Sequence, residues 1–491
     1  MLAETSKLKR FAQDAGRSLI EQVSSKLRFT LESESQQRRE NPRAVKELEE
    51  QVSKHGEESV VEKVAYIWFN RFCALRFMDV NHYTRMGLVS PLEGQTQPEI
   101  LAEAKLGHID EELVPEKTRQ KVFQLLNGTI PSRDPQQEAY QLLLVSACNY
   151  WHQFMPFMFQ RISDYTELLI PDDLLSDSSI LARVRDALPV ETCSDVEVIG
   201  WLYQFYISGK KDEIFKALRK NKKITPENIP AATQLFTPHW IVKYLVQNSL
   251  GRLWMLNRPE SRLVGEMEYF IPDSSSLDSD FLRISSPEEI RILDPACGSG
   301  HMLTYAFDLF YSIYEEEGYA PSEIPERIIT KNLFGIEIDE RAAELAAFAL
   351  TMKARARERR FFKKKIQPNI CLLEPVDFEE NELKEYMDFI GKDLFTAPLV
   401  ATLHQFKEAN NVGSLIRPAI QDVETIRNRI KEKDVGTNMF LRSTHKKVQQ
   451  CLKYVDYLSQ KYHVVIANPP YMGSKGMNPR LAQWLKENYP D

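Results

Sequence analysis

The sequence predicts a doubly wound, mostly parallel α/β sheet preceded by a large all-helical domain, and three observations carry that expectation. From residue 1 to about 225, apolar residues recur at three- and four-residue intervals, as in "RSLIEQVSSKLRFTL" and "VVEKVAYIWFNRFCALRFM", the period of helices with one buried face. Beyond that point four short apolar runs, "EIRILDP", "NLFGIEID", "NICLLEP" and "HVVIANPP", each end in polar residues or proline, as strands buried on both faces do. Helical stretches, "GHMLTYAFDLFYSIYEEEG" and "ERAAELAAFALTMKARARERR", follow the first two runs, and this alternation implies right-handed crossovers between parallel strands.

The boundary between the two regions falls near "GKKDEIFKALRKNKKITPENIPAATQ", where lysine-rich sequence gives way to proline-bearing sequence. The expected domains are therefore 1–225, helical, and 226–491, α/β. Between the third and fourth runs lie about ninety residues, where a simple crossover needs only a dozen or more. The excess, about 376–460, reads as a helical insertion above the sheet.

Composition narrows the function. With 43% apolar and 27% charged residues the chain resembles an ordinary globular protein. Its net charge of -7 excludes a protein that coats nucleic acid without specificity, since that binding needs a basic surface to displace counterions. No 18-residue apolar run and no signal-peptide core are found, so a cytoplasmic protein without membrane contact is expected. The six cysteines are scattered without C-x-x-C, and neither they nor the nine histidines show ligand spacing; reduced thiols and no metal site are expected.

The first chemical candidate is "ILDPACGSGHML". After the first strand, Asp294 leads into a turn with Gly298 and Gly300, placed where a doubly wound fold lets backbone N–H groups meet a nucleotide-like ligand. The spacing is not G-x-G-x-x-G. Asp294 stands where a phosphate loop would avoid negative charge, which favours a cationic or polyhydroxyl ligand over a pyrophosphate. A plain tight turn is the competing reading of the glycines. The second strand ends in Glu337, about forty residues after Asp294 and suited to accept hydrogen bonds from ribose hydroxyls. Asp339 belongs to the same candidate set, although a helix N-cap suits it better.

"DPACGSG", "GIEID" and "NPPY", in that order, resemble the motifs of S-adenosylmethionine-dependent N6-adenine DNA methyltransferases of the gamma arrangement. The resemblance implies a Rossmann-like class I methyltransferase sheet. It implies that Asp294, Ala296, Gly298 and Gly300 lie against the cofactor, the glycine loop beside its methionine part. It also implies that Thr237 and Pro238 of "QLFTPHWIVKYLV" contact the cofactor carboxylate. Read by itself, that stretch is a helix start, with Thr237 as N-cap and Pro238 in the first helical position.

The remaining motif suits the substrate amine. Asn468 offers a side-chain carbonyl, and Pro469 and Pro470 leave their carbonyls without helical partners. Two such acceptors on one exocyclic amine draw its lone pair out of conjugation and make the nitrogen nucleophilic. Tyr471 supplies a flat face for the base, which must be flipped from the duplex. No covalent intermediate is required, and Cys297 reads as a packing residue. "MKARARERRFFKKKI" carries eight Lys and Arg against one Glu, and either binds phosphate or is a solvated helix end. Lys210 to Lys223 reads the same way.

The helical N-terminus, "AATQLFTPHWIVKYLVQNSLGRLWML" and the inserted region together resemble the PglX-type adenine methyltransferases of BREX bacteriophage-defence systems. That likeness implies site-specific methylation of double-stranded host DNA, with other BREX proteins as partners. Two departures follow. The chain stops twenty residues after Tyr471, in the expected helix "NPRLAQWLKENYPD", so a fragment with an unpaired strand edge and weak or no activity alone is expected. "NICLLEP" lacks the Gly-Asp often seen at the third strand, which leaves the contact to the cofactor adenine unassigned.

Three other readings compete. The pocket could hold an RNA guanine amine or a protein glutamine amide, although such enzymes are usually compact. A fused nuclease would need P-D…(D/E)-x-K, and Pro171-Asp172-Asp173 has no convincing E-x-K downstream. A cofactor-binding scaffold without catalysis would keep the motifs and lose the chemistry.

Overall fold

The computed structural model describes residues 2–160, 165–234, 237–272, 281–391, 396–420, 423–431, 433 and 438–490. Parts of the insertion therefore lie outside the described residues. The chain forms two compact units, residues 1–209 with 362–365, and residues 210–361 with 366–491.

The first unit is helical. Its centre is the helix Glu57–Val80, which opens with Glu57 and Glu58 and is then buried nearly all round from Val60 to Asp79. A helix without a polar face belongs in the middle of a bundle. Two of its buried polar members find partners: Trp68 Nε1 donates to Thr166 O at 3.1 Å, and Asp79 accepts from the backbone of Val89 and Ser90 at 2.9 and 3.0 Å.

The second unit contains β1 (Ile292–Asp294), β2 (Leu333–Glu337), β3 (Asn369–Leu372) and β4 (Val464–Val465). Among the described residues they form one parallel sheet in the order β3-β2-β1-β4. Alternation along the strands sends side chains to two separate cores. Ile292 and Leu333 face a cluster with Val242, Trp254, Phe307, Phe310 and Leu350, contributed by the helices His239–Val246, Arg252–Asn257, His301–Glu316 and Glu340–Arg357. Leu293 and Ile336 face the opposite cluster with Tyr386, Leu403, Phe406, Val448 and Leu452.

That second cluster locates the inserted helices. Glu380–Ile390, Thr396–Gln405 and Met439–Ser459 cover the second face of the sheet. The physical reason is that Leu293, Ile336 and Cys371 would otherwise face water. Topology follows from this. The chain steps outward from β1 to β3 over one face and returns over the other to lay β4 beside β1, so the winding reverses between β1 and β4. The crevice beyond the strand ends at such a reversal is where open α/β sheets bind ligands.

Candidate active site

The residues singled out from the sequence collect at the carboxyl ends of β1, β2 and β4. Asp294 is the last residue of β1 and is buried; its Oδ1 accepts from Ala296 N at 3.2 Å, which bends the chain away from the sheet. Cys297 N donates to Ile336 O at 3.0 Å, tying this turn to the end of β2, while the Cys297 thiol is packed in the core. Gly298 and Gly300 have φ of 53° and 87°, the left-handed region that side chains resist. At Gly300 there is also no room, since a Cβ would stand 3.1 Å from Ala346 Cα. The glycine pair is therefore a built turn that opens the helix His301–Glu316, and Gly300 brings no side-chain cap to that helix's first N–H groups.

Glu337 ends β2 and holds the turn from the other side. Its Oε2 accepts from Gly298 N at 2.7 Å, and its Oε1 accepts from Ile338 N and Asp339 N at 2.8 and 3.0 Å. Asp339 caps the next helix, its Oδ1 accepting from Arg341 N at 3.1 Å. Burial pushes the Asp294 carboxyl up to about 7, and the neighbouring Glu337 charge adds to the shift although the Ala296 N–H opposes it. Glu337 is likewise pushed up to about 7, by desolvation first and by Asp339 next, against the three backbone N–H groups it accepts from. Two adjacent carboxylates this short of counter-charge suit a cationic ligand.

Thr237 differs from the expectation drawn from its local sequence. The helix begins at His239, with Pro238 in the capping position and no side-chain cap. Thr237 is buried, and its Oγ1 instead accepts from Asn468 Nδ2 at 2.9 Å. The register of β4 explains the meeting. Ile466 N donates to Leu293 O at 2.9 Å, so Asn468 emerges two residues later beside the turn that follows Asp294. With its amide N–H committed to Thr237, Asn468 Oδ1 is left as an acceptor. Pro469 and Pro470 are exposed, and Tyr471 is 70% exposed, a ring face open to solvent beside the amide.

Three contributors escape a reading of motifs. Gly335 sits mid-strand in β2, where a Cβ would stand 2.7 Å from Ile370 Cδ1 and 2.9 Å from Cys297 Sγ; a glycine inside an apolar run was its only mark. Gln234 Nε2 lies 3.8 Å from where a Cβ on Gly298 would be. Lys211 Nζ donates to Gln234 O at 2.7 Å. Gln234 is three residues before Thr237, the one hint of its place; Lys211 carries none.

Elsewhere, Asp172 pairs with Lys26, and Asp173 Oδ1 accepts from Ser176 N at 3.0 Å, so both serve local structure. Among the described residues no His, Cys, Asp and Glu group could hold a metal ion, and no helix is long and apolar enough to cross a membrane.

A parallel sheet carrying a glycine turn after β1, an acid after β2 and N-P-P-Y after β4, with a helical region before it, defines a methyltransferase domain of the Rossmann-like class. Residues 331–491 match the Eco57I restriction-modification methylase family, and residues 281–378 match the MmeI DNA-methyltransferase domain. The chain is 39% identical over 483 residues to the adenine-specific methyltransferase BrxX of Escherichia coli O9:H4 (strain HS), covering 91% of this chain and 39% of that protein. It is 35% identical over 463 residues to the adenine-specific methyltransferase PglX of Lacticaseibacillus casei (strain Zhang), covering 88% of this chain and 37% of that protein. The chain is thus similar to these PglX-type adenine-specific methyltransferases, and it spans about two fifths of the length of the curated relatives it matches.

Proposed function

We propose that this chain carries the cofactor-binding and base-binding parts of a DNA adenine N6-methyltransferase that uses S-adenosylmethionine, acting on double-stranded DNA in BREX-type phage defence with other proteins of that system. The observation that carries the reading is the meeting of Asn468 with Thr237 beside the Asp294 to Gly300 turn. The relatives named as adenine-specific support the choice of adenine.

The residues present fit the cofactor. Asp294 and Glu337 form an acidic, poorly solvated pair, and the cradle beside them is walled by glycine backbone rather than side chains. Gly298 N already donates to Glu337 Oε2, which has a further lone pair for a ribose hydroxyl. Thr237 and Pro238 would take the carboxylate end, and Asp339 stays the helix cap that aims the second turn. When bound, S-adenosylmethionine supplies an electrophilic methyl group.

The chain's own residues prepare the acceptor. Asn468 Oδ1 and the carbonyl of Pro469 accept the two hydrogens of the adenine amine, which localises the lone pair on nitrogen. Tyr471 stacks the extruded base, a contact worth about 1–3 kcal/mol. Pro469 and Pro470 fix φ through the motif, so these acceptors stay in place without a cost of ordering at each turnover. The amine proton leaves after transfer, and none of the six thiols takes part.

The test is quantification of N6-methyladenine in host DNA by mass spectrometry, with the intact gene product present, absent or carrying Asn468→Ala. Methyladenine lost in both altered strains is the expected result. Unchanged methyladenine in the Asn468→Ala strain would reject the reading.

A further inference from the structure

The lysine-rich end of the helix Glu197–Arg219 plays no part in that chemistry, yet the fold brings it against the base-binding motif. Between Lys210 and Lys223 seven Lys and Arg stand against Asp212 and Glu213, in a chain of net charge -7. The helix contributes Ile214 and Leu218 to a small apolar cluster with Ile224, Ile229 and Ala232. The same cluster takes Ile338, next to Glu337, and Met472, next to Tyr471. The last two turns of this helix thereby share one apolar cluster with the neighbours of Glu337 and Tyr471.

The chain then leaves the helix in a defined way. Asn221, at φ 62°, ends it, with Asn221 N donating to Leu218 O at 2.9 Å and Lys222 N to Ala217 O at 3.1 Å. Residues 223 and 224 zip onto the loop that follows Tyr471. Ile224 N donates to Gly476 O at 3.1 Å, Lys223 Nζ to Lys475 O at 2.7 Å, and Asn478 Nδ2 to Ile224 O at 3.4 Å. Lys220, Lys222 and Lys475 are exposed at this junction.

We propose that Lys220, Lys222 and Lys475 form a phosphate-binding rim that holds the backbone of the target strand next to the base pocket. This rests on the reading that Asn468 to Tyr471 receive a nucleobase. A flipped nucleotide remains bonded to its 5′ and 3′ phosphates, so those charges must lie at the edge of whatever pocket takes the base. Lysine ammonium groups on flexible stems suit such contacts, which need charge and reach but no fixed fork geometry. Lys223, already donating to Lys475 O, acts as the strut of the rim.

The experiment measures binding of the full chain to fluorescent duplex DNA over a salt series. It compares the natural sequence with Lys220→Gln, Lys222→Gln, Lys475→Gln together, and with Lys54→Gln, Lys117→Gln, Lys121→Gln together. Both triple variants lose the same charge, and the second set consists of exposed lysines of the first unit. The slope of log affinity against log salt should become shallower by about 2 to 3 in the rim variant alone, since each phosphate contact contributes about 0.9. Cofactor affinity, read by calorimetry, should not change in either. No binding by the natural chain, an unchanged slope in the rim variant, or an equal change in both variants would overturn the rim. Failure of the methyltransferase reading shows elsewhere, as methyladenine that persists with Asn468→Ala, so the two failures are distinguishable.

Discussion

Asn468 Nδ2 donates to Thr237 Oγ1 at 2.9 Å across 231 residues of sequence. The bond joins the motif proposed to hold the methyl acceptor to the motif proposed to hold the donor, and its direction leaves Asn468 Oδ1 as the acceptor.

Removing that hydroxyl should act on turnover. Thr237→Val keeps the shape and loses the acceptor, freeing the amide to rotate; a hydrogen bond of this kind contributes about 0.5–1.5 kcal/mol. Methyl transfer should fall roughly tenfold, the equivalent of about 1.4 kcal/mol, and Thr237→Ser should restore most of it. Single-turnover transfer of labelled methyl by the intact gene product measures both, and equal loss in the Ser and Val variants would contradict the role given to the bond.

Cofactor binding should strengthen as pH rises through about 7. Asp294 and Glu337 are both pushed up to about 7, so below that pH the pair holds protons that a cationic ligand must displace. Calorimetry at pH 6 and pH 8 should give the tighter binding at pH 8, and Glu337→Gln should reduce the difference.

The same shifts set a sign for stability. Both carboxyls bind protons more tightly in the fold than in the unfolded chain, where they titrate near about 4. Their contribution is fully present below about 4 and is lost as pH rises through about 7. Denaturant titrations of the ligand-free chain at pH 5 and pH 8 should show the decline, and Asp294→Asn should flatten it.

Gly335→Ala should unfold the site from within. Its Cβ would meet Ile370, Cys297 and Leu303 at 2.7, 2.9 and 3.0 Å, and overpacking of this sort costs about 1–3 kcal/mol. The melting temperature should drop by several degrees, whereas Gly265→Ala, where a Cβ meets open space, should leave it nearly unchanged.

Tyr471 should matter to the base and not to the fold. At 70% exposure the ring contributes little to packing, so Tyr471→Ala should melt like the natural chain. Affinity of the intact gene product for target DNA should weaken by about 1–3 kcal/mol, and Tyr471→Phe should retain it, because stacking needs the ring and not the hydroxyl.

Much of the fold was legible because buried strands write themselves as unbroken apolar runs, although β4 is buried on one side only, with Val465 59% exposed. β1 to β4 lie inside the four runs read from the sequence, and the helices His301–Glu316 and Glu340–Arg357 follow the first two. The glycine turn and N-P-P-Y were legible for a related reason, since positive φ and fixed φ each demand a residue type. Asp339 is a helix cap, the role local sequence favoured, and Thr237 is not, because a partner far along the chain claims its hydroxyl. The helical insertion could be recognised but not located; its amphipathic helices would bury their apolar faces on any uncovered surface, and only the bare second face of the sheet selected one.

By itself, then, the sequence determined which residues form strands and turns, because such choices depend on side chains within a few positions of each other. Tertiary structure alone decided that Thr237 meets Asn468, that Glu337 holds Gly298, and that Lys223 meets Lys475. These contacts depend on strand order and on the reversal of winding between β1 and β4, and neither is encoded in any local stretch of the chain.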